Sequence, residues 1–408
     1  MSNESLSKPN LLIKNGAGDL SENIIILLLL LITALGQIAI DIYLPSLPAM
    51  QSAFGTTKDT VQLTLSIYSI GFGLSQLFYG PLSDRFGRRD LLLFGMGISS
   101  IATLACSLST HITALICFRL IQGIGSGAAS VLTRAILRDC FSGKRMSQIG
   151  GYMSIAWSLI PMIAPVIGSY IQTAFNWRAN FIFLLIFNLF VLALTYHWLP
   201  DTNRDKRLIS LKLKTIIRHY FSVLSHPTAF RFILGPMLTF SCTFSYITAS
   251  PFLLQVELGY TPIMFGWLSL GVSIAYLFAN LVNSRLLAVM DKTHIIRLGI
   301  LCNTIGTVSM TLFALLGIFN VYTLIIPAGI MIFAGGFLFA NCMTSAMMPF
   351  GHIAGTAAAV IGCIQMLGGS LASGIVALLP MQTPLPLSLL LLSFTVLLAW
   401  SILPLKAT

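Results

Sequence analysis

Charged residues are scarce in this chain. Only 9% of its 408 residues are Asp, Glu, Lys or Arg, whereas 56% are hydrophobic, and a soluble domain carries about 25% charged residues. This composition excludes a water-soluble globular protein and indicates a chain embedded in lipid. The net charge of +11 is spread over short loops between apolar runs, so we expect no nucleic-acid partner.

Motifs of metal binding and catalysis are missing as well. The seven cysteines are odd in number and contain no C-x-x-C pair, which argues against a disulfide framework or a zinc site. H-E-x-x-H, Walker-type and G-x-S-x-G motifs are absent, so nothing points to an ATP-driven pump. We expect no catalytic residues, no metal and no cofactor. An integral membrane enzyme is the remote alternative.

What the chain does contain is twelve apolar runs, each near the 20 residues that a helix needs to cross a bilayer. They fall in two sets of six, which predicts an all-α membrane protein with twelve transmembrane helices in two six-helix bundles. The predicted parts are a cytoplasmic tail (1–23), an N-terminal bundle (24–199), a cytoplasmic linker (200–228) and a C-terminal bundle (229–404).

The orientation follows from the distribution of Lys and Arg, which favour the cytoplasmic side of a membrane. With the N-terminus inside, Lys58 and Arg178 lie outside and Arg119 lies within the fourth span. The other 20 of the 23 basic residues then face the cytoplasm. We therefore predict a multi-pass protein of the bacterial cytoplasmic (inner) membrane with both termini in the cytoplasm.

The linker (200–228) is basic and compatible with a helix. We interpret it as an amphipathic tether on the anionic inner leaflet. A regulatory binding site is the alternative.

Two ionisable residues of opposite charge lie inside the predicted spans. Asp41 is the only carboxylate within a span, and Arg119 is the only basic residue well inside one. The two residues lie at comparable depths in the membrane. Each would be costly alone in lipid, so we expect mutual contact or one shared polar cavity. Burial favours the neutral carboxyl and a nearby arginine favours the ionised one, which suits proton coupling. A purely structural ion pair between the first and fourth spans is the alternative.

Polar residues at helical spacing accompany this pair. They form stripes on the first, fourth and seventh spans, and such stripes face protein or water rather than lipid. The predicted substrate cavity accordingly comprises Gln37, Asp41, Arg119, Gln122 and Tyr246. Pro45 and Pro48, just past Asp41, are expected to break the end of the first helix.

Two motifs are typical of one transporter superfamily. "GPLSDRFGRRDLL" (80–92) lies between the second and third spans, and "FRLIQGIGSGA" (118–128) lies in the fourth span. They resemble the G-x-L-x-D-R-x-G-R-[RK] and R-x-x-Q-G-x-G patterns of the major facilitator superfamily. The fifth span reads Ala164-Pro165-Val166-Ile167-Gly168-Ser169, so of the antiporter pattern G-P-x-x-G-G it keeps Pro165 and Gly168.

Further segments resemble the Bcr/CflA branch of drug-resistance transporters. They extend from the first span into the seventh and read "DIYLPSLP", "RAILRDCF", "NWRANFIF" and "YITASPFLLQVELGYTP". The resemblance implies a cavity that opens alternately to either side, with the acidic residue of the first helix in substrate and proton binding. It also implies a conformational latch of the outward-facing state formed by Gly80, Asp84 and Arg88, in which Asp84 faces the start of the eleventh span and Gly80 permits close helix approach.

The function predicted is therefore proton-coupled export of small lipophilic compounds by a monomer in the lipid bilayer, driven by the proton gradient. The alternative within the same fold is export of one endogenous metabolite or siderophore.

Overall fold

The computed structural model describes residues 22–203 and 213–403. We call these ranges the N-terminal and C-terminal halves. Residues 1–21 of the predicted tail and 204–212 of the predicted linker lie outside them.

The N-terminal half contains seven helices: α1 (Glu22–Asp41), α2 (Leu47–Phe54), α3 (Lys58–Phe86), α4 (Arg88–Leu108), α5 (Ile112–Cys140), α6 (Gly143–Ala174) and α7 (Trp177–Trp198). The C-terminal half contains seven more: α8 (Leu213–Leu224), α9 (Pro227–Phe252), α10 (Pro262–Leu286), α11 (Lys292–Leu315), α12 (Val321–Met347), α13 (Ala354–Leu378) and α14 (Leu385–Ile402).

Twelve segments of the described chain are long and apolar enough to cross a membrane. The first span combines α1 with α2, a π-helical turn (Leu253–Glu257) extends α9 in the seventh, and α8 lies outside the set. This confirms the predicted all-α fold with twelve membrane-spanning helices.

The first span is broken because of its prolines. Pro45 stands four residues after Asp41 and lacks an N–H, so the Asp41 carbonyl cannot receive the next helical hydrogen bond. α1 ends at Asp41, a short 3₁₀ helix covers Leu44–Ser46, and α2 begins at Leu47. Asp41 thus lies at a break between two helices, as the prolines predict.

Close helix packing brings Arg119 beside the first span. An added Cβ at Gly123 of α5 would overlap the Tyr68 carbonyl oxygen of α3, so only glycine allows this approach. Small residues at helix contacts are a usual source of packing in lipid, where burial of apolar surface drives little association. Arg119, one turn before Gly123, therefore lies against Tyr68.

The two ends of the bundle differ in charge. We call the end at which α3 passes into α4 the basic end, because it carries Arg85, Arg88, Arg89, Arg138 and Lys144. The far end is the one at which α2 leads into α3. The two halves meet along α3 with α13 and along α6 with α10.

Candidate functional site

A cavity lies between the two halves. Its empty space is about 1020 Å³, including the part open to solvent, and sites for drug-sized ligands are of the same order. Residues of α1 and α6 line it from the N-terminal half, and residues of α9, α10, α12 and α13 line it from the C-terminal half. The polar and charged side chains of the lining include Gln37, Asp41, Ser158, Thr239, Thr243, Tyr246, Ser250, Ser269, Ser273, Tyr276 and Gln365.

Asp41 supplies the charged group of this lining. It is the last residue of α1 and is only 3% exposed. The Gln37 Nε2 donates a hydrogen bond to its Oδ2 at 2.8 Å, because residues four apart lie on one helix face. The predicted cavity residues Gln37, Asp41 and Tyr246 are therefore brought together around one space.

Arg119 is held in a different way from the one expected. The side chain is fully buried, and its guanidinium carbon lies 4.5 Å from the ring centroid of Tyr43 and 4.2 Å from that of Tyr68. Such faces stabilise a cation through the ring quadrupole. The guanidinium also donates hydrogen bonds to the main-chain oxygens of Thr64 (3.3 Å) and Ala39 (3.1 Å).

Two polar side chains complete the surroundings of Arg119. Its Nη2 donates to the Tyr43 hydroxyl at 3.1 Å, and its Nη1 donates to the Gln122 Oε1 at 2.7 Å. The Gln122 Nε2 in turn donates to the Thr103 hydroxyl at 2.7 Å. Both Arg119 and Gln122 have their polar atoms committed within the N-terminal half.

This arrangement corrects two expectations. No ion pair joins Asp41 and Arg119, both of which are described, and neither Arg119 nor Gln122 belongs to the cavity lining. The physical reason is that main-chain oxygens at the helix break and two aromatic faces satisfy the guanidinium without a carboxylate. The structure thus leaves Asp41 facing the cavity with Gln37 as its side-chain partner.

Several cavity residues were missed by sequence reasoning. Trp157 on α6 and Phe240, Phe244, Phe265 and Phe339 on the C-terminal half provide aromatic walls. Aromatic residues occur throughout an apolar chain, so the sequence offers no signal that separates these from lipid-facing ones. Gln365 is different, because a lone amide within the apolar α13 carries the same signal as Gln37.

Two buried atoms of the lining have no hydrogen-bond partner. They are the Gln37 Oε1 and the Thr239 Oγ1, which come from opposite halves of the molecule. Unpaired polar groups in a buried position are costly, so these atoms mark places where a ligand or water can bond.

The fifth-span motif packs against the helix break. Pro165 lines the cavity, and an added Cβ at Gly168 would overlap the main-chain oxygen of Ile42. The Asn180 Nδ2 donates to the Gly168 oxygen at 3.2 Å. This close packing holds the chain just past Asp41.

The predicted latch residues lie at the basic end. Arg88 Nη1 lies 2.5 Å from Asp84 Oδ1, and Arg88 Nε lies 3.1 Å from Asp139 Oδ2. The Arg88 main-chain N–H donates to the Asp201 Oδ1 at 3.2 Å. Arg88 is therefore the centre of a polar cluster that lies wholly within the N-terminal half.

The latch of the outward-facing state stays a prediction, and the contacts of its residues in this structure are as follows. The side chain of Asp84 bonds to Arg88 rather than to the start of α13, where the Arg138 Nη1 lies 3.3 Å from the Cβ position of Gly355. An added Cβ at Gly80 would meet Val131 Cγ1 at 3.8 Å, an ordinary contact, so packing does not require glycine there. The carboxylate pairs with Arg88, four residues later at the start of α4, because that partner is already in reach.

A cluster of buried polar side chains joins the halves toward the far end. The Gln62 Nε2 donates to the Thr248 oxygen (2.9 Å), and the Ser66 and Thr248 hydroxyls donate to the Ser373 Oγ (2.9 and 2.8 Å). The Ser370 hydroxyl donates to the Ser66 oxygen at 2.7 Å. Thr239 and Gln365 of the cavity lining lie about two turns nearer the basic end, whereas Ser250 of the lining lies at the level of this far-end cluster. The cluster therefore joins the halves beside the far part of the cavity.

The linker helix α8 also contacts both halves. The Tyr220 hydroxyl donates to the Leu77 oxygen of α3 at 2.5 Å, and Val223 is fully buried in a cluster with α9 and α13. Burial raises the pKa of Tyr220 to about 12. Phe221 on another face is 70% exposed, so the helix packs on the protein and leaves an apolar face free for the predicted contact with lipid.

Comparisons with known proteins agree with this architecture. A family model described as Major Facilitator Superfamily matches residues 29–373. Multidrug resistance protein D of Escherichia coli (strain K12) is 30% identical over 389 residues, which cover 92% of this chain and 94% of that protein. The bicyclomycin resistance protein homolog of Haemophilus influenzae is 26% identical and covers 89% of this chain and 91% of its own length.

A solved structure shares the fold. The xylose transporter of E. coli, in a partially occluded inward open conformation, superimposes with a TM-score of 0.74 at 14% identity. The match covers 94% of this chain and 98% of that one. At this identity the likeness concerns the fold alone.

Proposed function

This chain belongs to the Major Facilitator Superfamily, and from that premise we propose that it exports small lipophilic organic compounds in exchange for protons. The family assignment confirms the predicted resemblance, including the Bcr/CflA-like drug-resistance branch, because similar proteins include a multidrug and a bicyclomycin resistance protein. Membership makes the chain a multi-pass membrane transporter of a small-molecule substrate.

The observation that carries the proposal is the position of Asp41. It is a carboxylate at a helix break, in a cavity shared by both halves, without an arginine partner. A carboxylate in such a site can bind a proton or a cationic or hydrogen-bonding substrate, but holding both is unfavourable. Mutual exclusion at one group is the physical requirement for exchange.

The lining indicates the class of substrate. Seven aromatic side chains, two of them tyrosines, and several small hydroxyl groups surround the single carboxylate, and none of the described residues of the lining is Lys or Arg. Such a surface favours neutral or cationic compounds with an apolar ring system and disfavours anions. The names of the similar proteins refer to drug resistance, which supports drug-like compounds over a single endogenous metabolite.

The cycle that we propose uses the two ends in turn. The basic end faces the cytoplasm, following the rule for Lys and Arg, so the far-end cluster joins the halves on the periplasmic side. A compound enters from the cytoplasm and binds beside ionised Asp41. The halves then rock apart at the far-end cluster, and a proton from outside displaces the compound.

The remaining parts of the proposal concern setting and partners. The protein resides in the bacterial inner membrane as a monomer with both termini in the cytoplasm. The proton gradient is the energy source, without a bound cofactor, metal or nucleic acid. Arg119 would contribute by holding Asp41 and the helix break in place rather than by contacting the substrate.

Proteoliposomes with an internal pH dye test this function. We expect ethidium or another lipophilic cation to drive proton movement in the wild type, and Asp41→Asn to abolish it. Asp59→Asn, at the start of α3 and outside the cavity lining, is the matched control and should behave as the wild type.

Two results would contradict the proposal. Equal proton flux in wild type and Asp41→Asn would remove Asp41 as the coupling group. Substrate movement without proton flux in the wild type would make the protein a facilitator.

A further inference from the structure

The amide of Gln37 faces two partners. Its Nε2 donates to the Asp41 Oδ2 at 2.8 Å, while its Oε1 lies in the cavity wall without a protein partner. The residue is 5% exposed and lines the cavity, so the free oxygen is a buried acceptor beside the substrate space. One side chain therefore contacts the carboxylate and lines the cavity.

The orientation of this amide depends on the proton of Asp41. An ionised carboxylate has no hydrogen and can only accept, so the NH₂ group of Gln37 must face it and the oxygen must point away from it. A protonated carboxyl group has an O–H that needs an acceptor. Rotation of the amide by about 180° about its Cγ–Cδ bond then brings Oε1 to Asp41 and turns Nε2 into the cavity.

The other charged and titratable groups near Asp41 do not provide this connection. Arg119 uses its donors on main-chain oxygens, Gln122 and Tyr43. The hydroxyl of Tyr43 bonds to Thr64 and Arg119, and that of Tyr68 donates to the Gly36 oxygen. On the facing half, Tyr246 and Tyr276 line the cavity but make no hydrogen bond to Asp41.

We propose that Gln37 converts the protonation of Asp41 into the hydrogen-bonding polarity of the cavity. With Asp41 ionised, the cavity presents an acceptor and binds compounds that carry N–H or O–H donors beside an apolar ring system. When Asp41 takes up a proton, the cavity presents N–H groups instead, and a donor-bearing compound loses its partner. The inference rests on the proposed exchange of substrate for protons and supplies its substrate class.

Two permanent monocations separate this effect from simple charge attraction. Ethidium carries aromatic amino groups that donate hydrogen bonds, whereas tetraphenylphosphonium has no donor. Both are attracted to an ionised carboxylate, but only ethidium can use the Gln37 oxygen. The charge of Asp41 affects the affinity of both cations alike and drops out of the ratio of their affinities. The ratio therefore reports whether the Gln37 amide offers an acceptor or a donor.

The experiment measures the binding of both radiolabelled cations to the purified full-length protein by equilibrium dialysis, at about pH 5 and about pH 9. In the wild type we expect the preference for ethidium over tetraphenylphosphonium to be about 5- to 10-fold greater at the higher pH, the effect of one hydrogen bond. In Gln37→Met, which preserves length but not polarity, the preference should not change with pH.

Gln365→Met is the matched control. Gln365 lines the same cavity, is equally buried and makes no hydrogen bond to Asp41, so its loss should leave the pH dependence of the preference intact. Binding of tetraphenylphosphonium at high pH verifies that Gln37→Met is folded.

Three results would overturn the inference. The first is that the preference for ethidium changes with pH in Gln37→Met as much as in the wild type. The others are that this preference is constant with pH in the wild type, or that the wild type does not bind ethidium at high pH. Proton flux in proteoliposomes tests the proposed function separately, because a wild type without flux can still display the change in preference.

Discussion

Arg119 donates a hydrogen bond to the main-chain oxygen of Ala39, two residues before Asp41, at 3.1 Å. The arginine therefore stabilises the C-terminal end of α1, where main-chain carbonyl groups lack helical partners and a cation is favoured. Arg119 stabilises the helix break and does not neutralise the carboxylate.

We predict that Arg119→Lys destabilises the protein. Lysine cannot reproduce the forked set of bonds to Ala39, Thr64 and Tyr43, and each lost bond from a charged group contributes about 1.5–3 kcal/mol. Thermal unfolding in detergent should show a loss of at least about 2 kcal/mol. Arg178→Lys is the control, because Arg178 donates one bond, to the Ser109 oxygen, from a partly exposed position.

Asp41→Asn should leave stability nearly unchanged, within about 1 kcal/mol. The carboxylate is not paired with Arg119, so removing the negative charge of Asp41 does not leave a buried cation without a counter-ion. The same unfolding experiment checks this. A loss as large as that of Arg119→Lys would instead indicate an ion pair between the two residues.

Gly168→Ala should disturb the helix break. The new methyl group would overlap the Ile42 oxygen, and overpacking of this kind typically costs about 1–3 kcal/mol. We expect lower thermal stability together with reduced transport. Gly151→Ala on the same helix has open space around the new methyl group, so unchanged or higher stability is expected there. Equal behaviour of the two variants would refute the close approach.

Ser373→Ala should favour opening of the far end. It removes the acceptor of the Ser66 and Thr248 hydroxyls, and each bond contributes about 0.5–1.5 kcal/mol. Spin labels at Thr56 and Leu258 would measure the distance between the halves, with a several-fold larger open population expected. Ser393→Ala, which loses only a local bond to the Leu390 oxygen, should leave the distance distribution as in the wild type.

Tyr220→Phe should weaken the contact of the linker helix with α3. Because burial raises the pKa of Tyr220 from 10.0 to about 12, the protonated hydroxyl is favoured in the folded protein. Its contribution is thus complete below about pH 10 and is lost as the pH rises through about 12. The stability difference between wild type and Tyr220→Phe should be constant from about pH 7 to 9 and shrink above about pH 10. A difference that shrinks already below about pH 9 would contradict it.

The class of fold and the identity of the key acid follow from the amino-acid sequence alone. Lipid admits only segments whose backbone is internally bonded, so twelve apolar runs could become little else than twelve helices. A carboxylate in such a run must face protein or water, which singled out Asp41. The helix break followed from Pro45, because a missing N–H acts locally.

The pairing of the polar groups depends on the tertiary structure. Arg119 and Asp41 lie at a similar depth in the membrane, yet Arg119 contacts main-chain oxygens and two aromatic rings from other parts of the chain. Asp84 likewise bonds to Arg88 rather than to α13. The partners of Arg119 lie far from it along the chain, and helix periodicity sets the face of a side chain but not its neighbour across an interface. The choice of partner depended on the packing of the helices, which gave Arg119 other partners and left the carboxylate with Gln37, its neighbour on the same helix face.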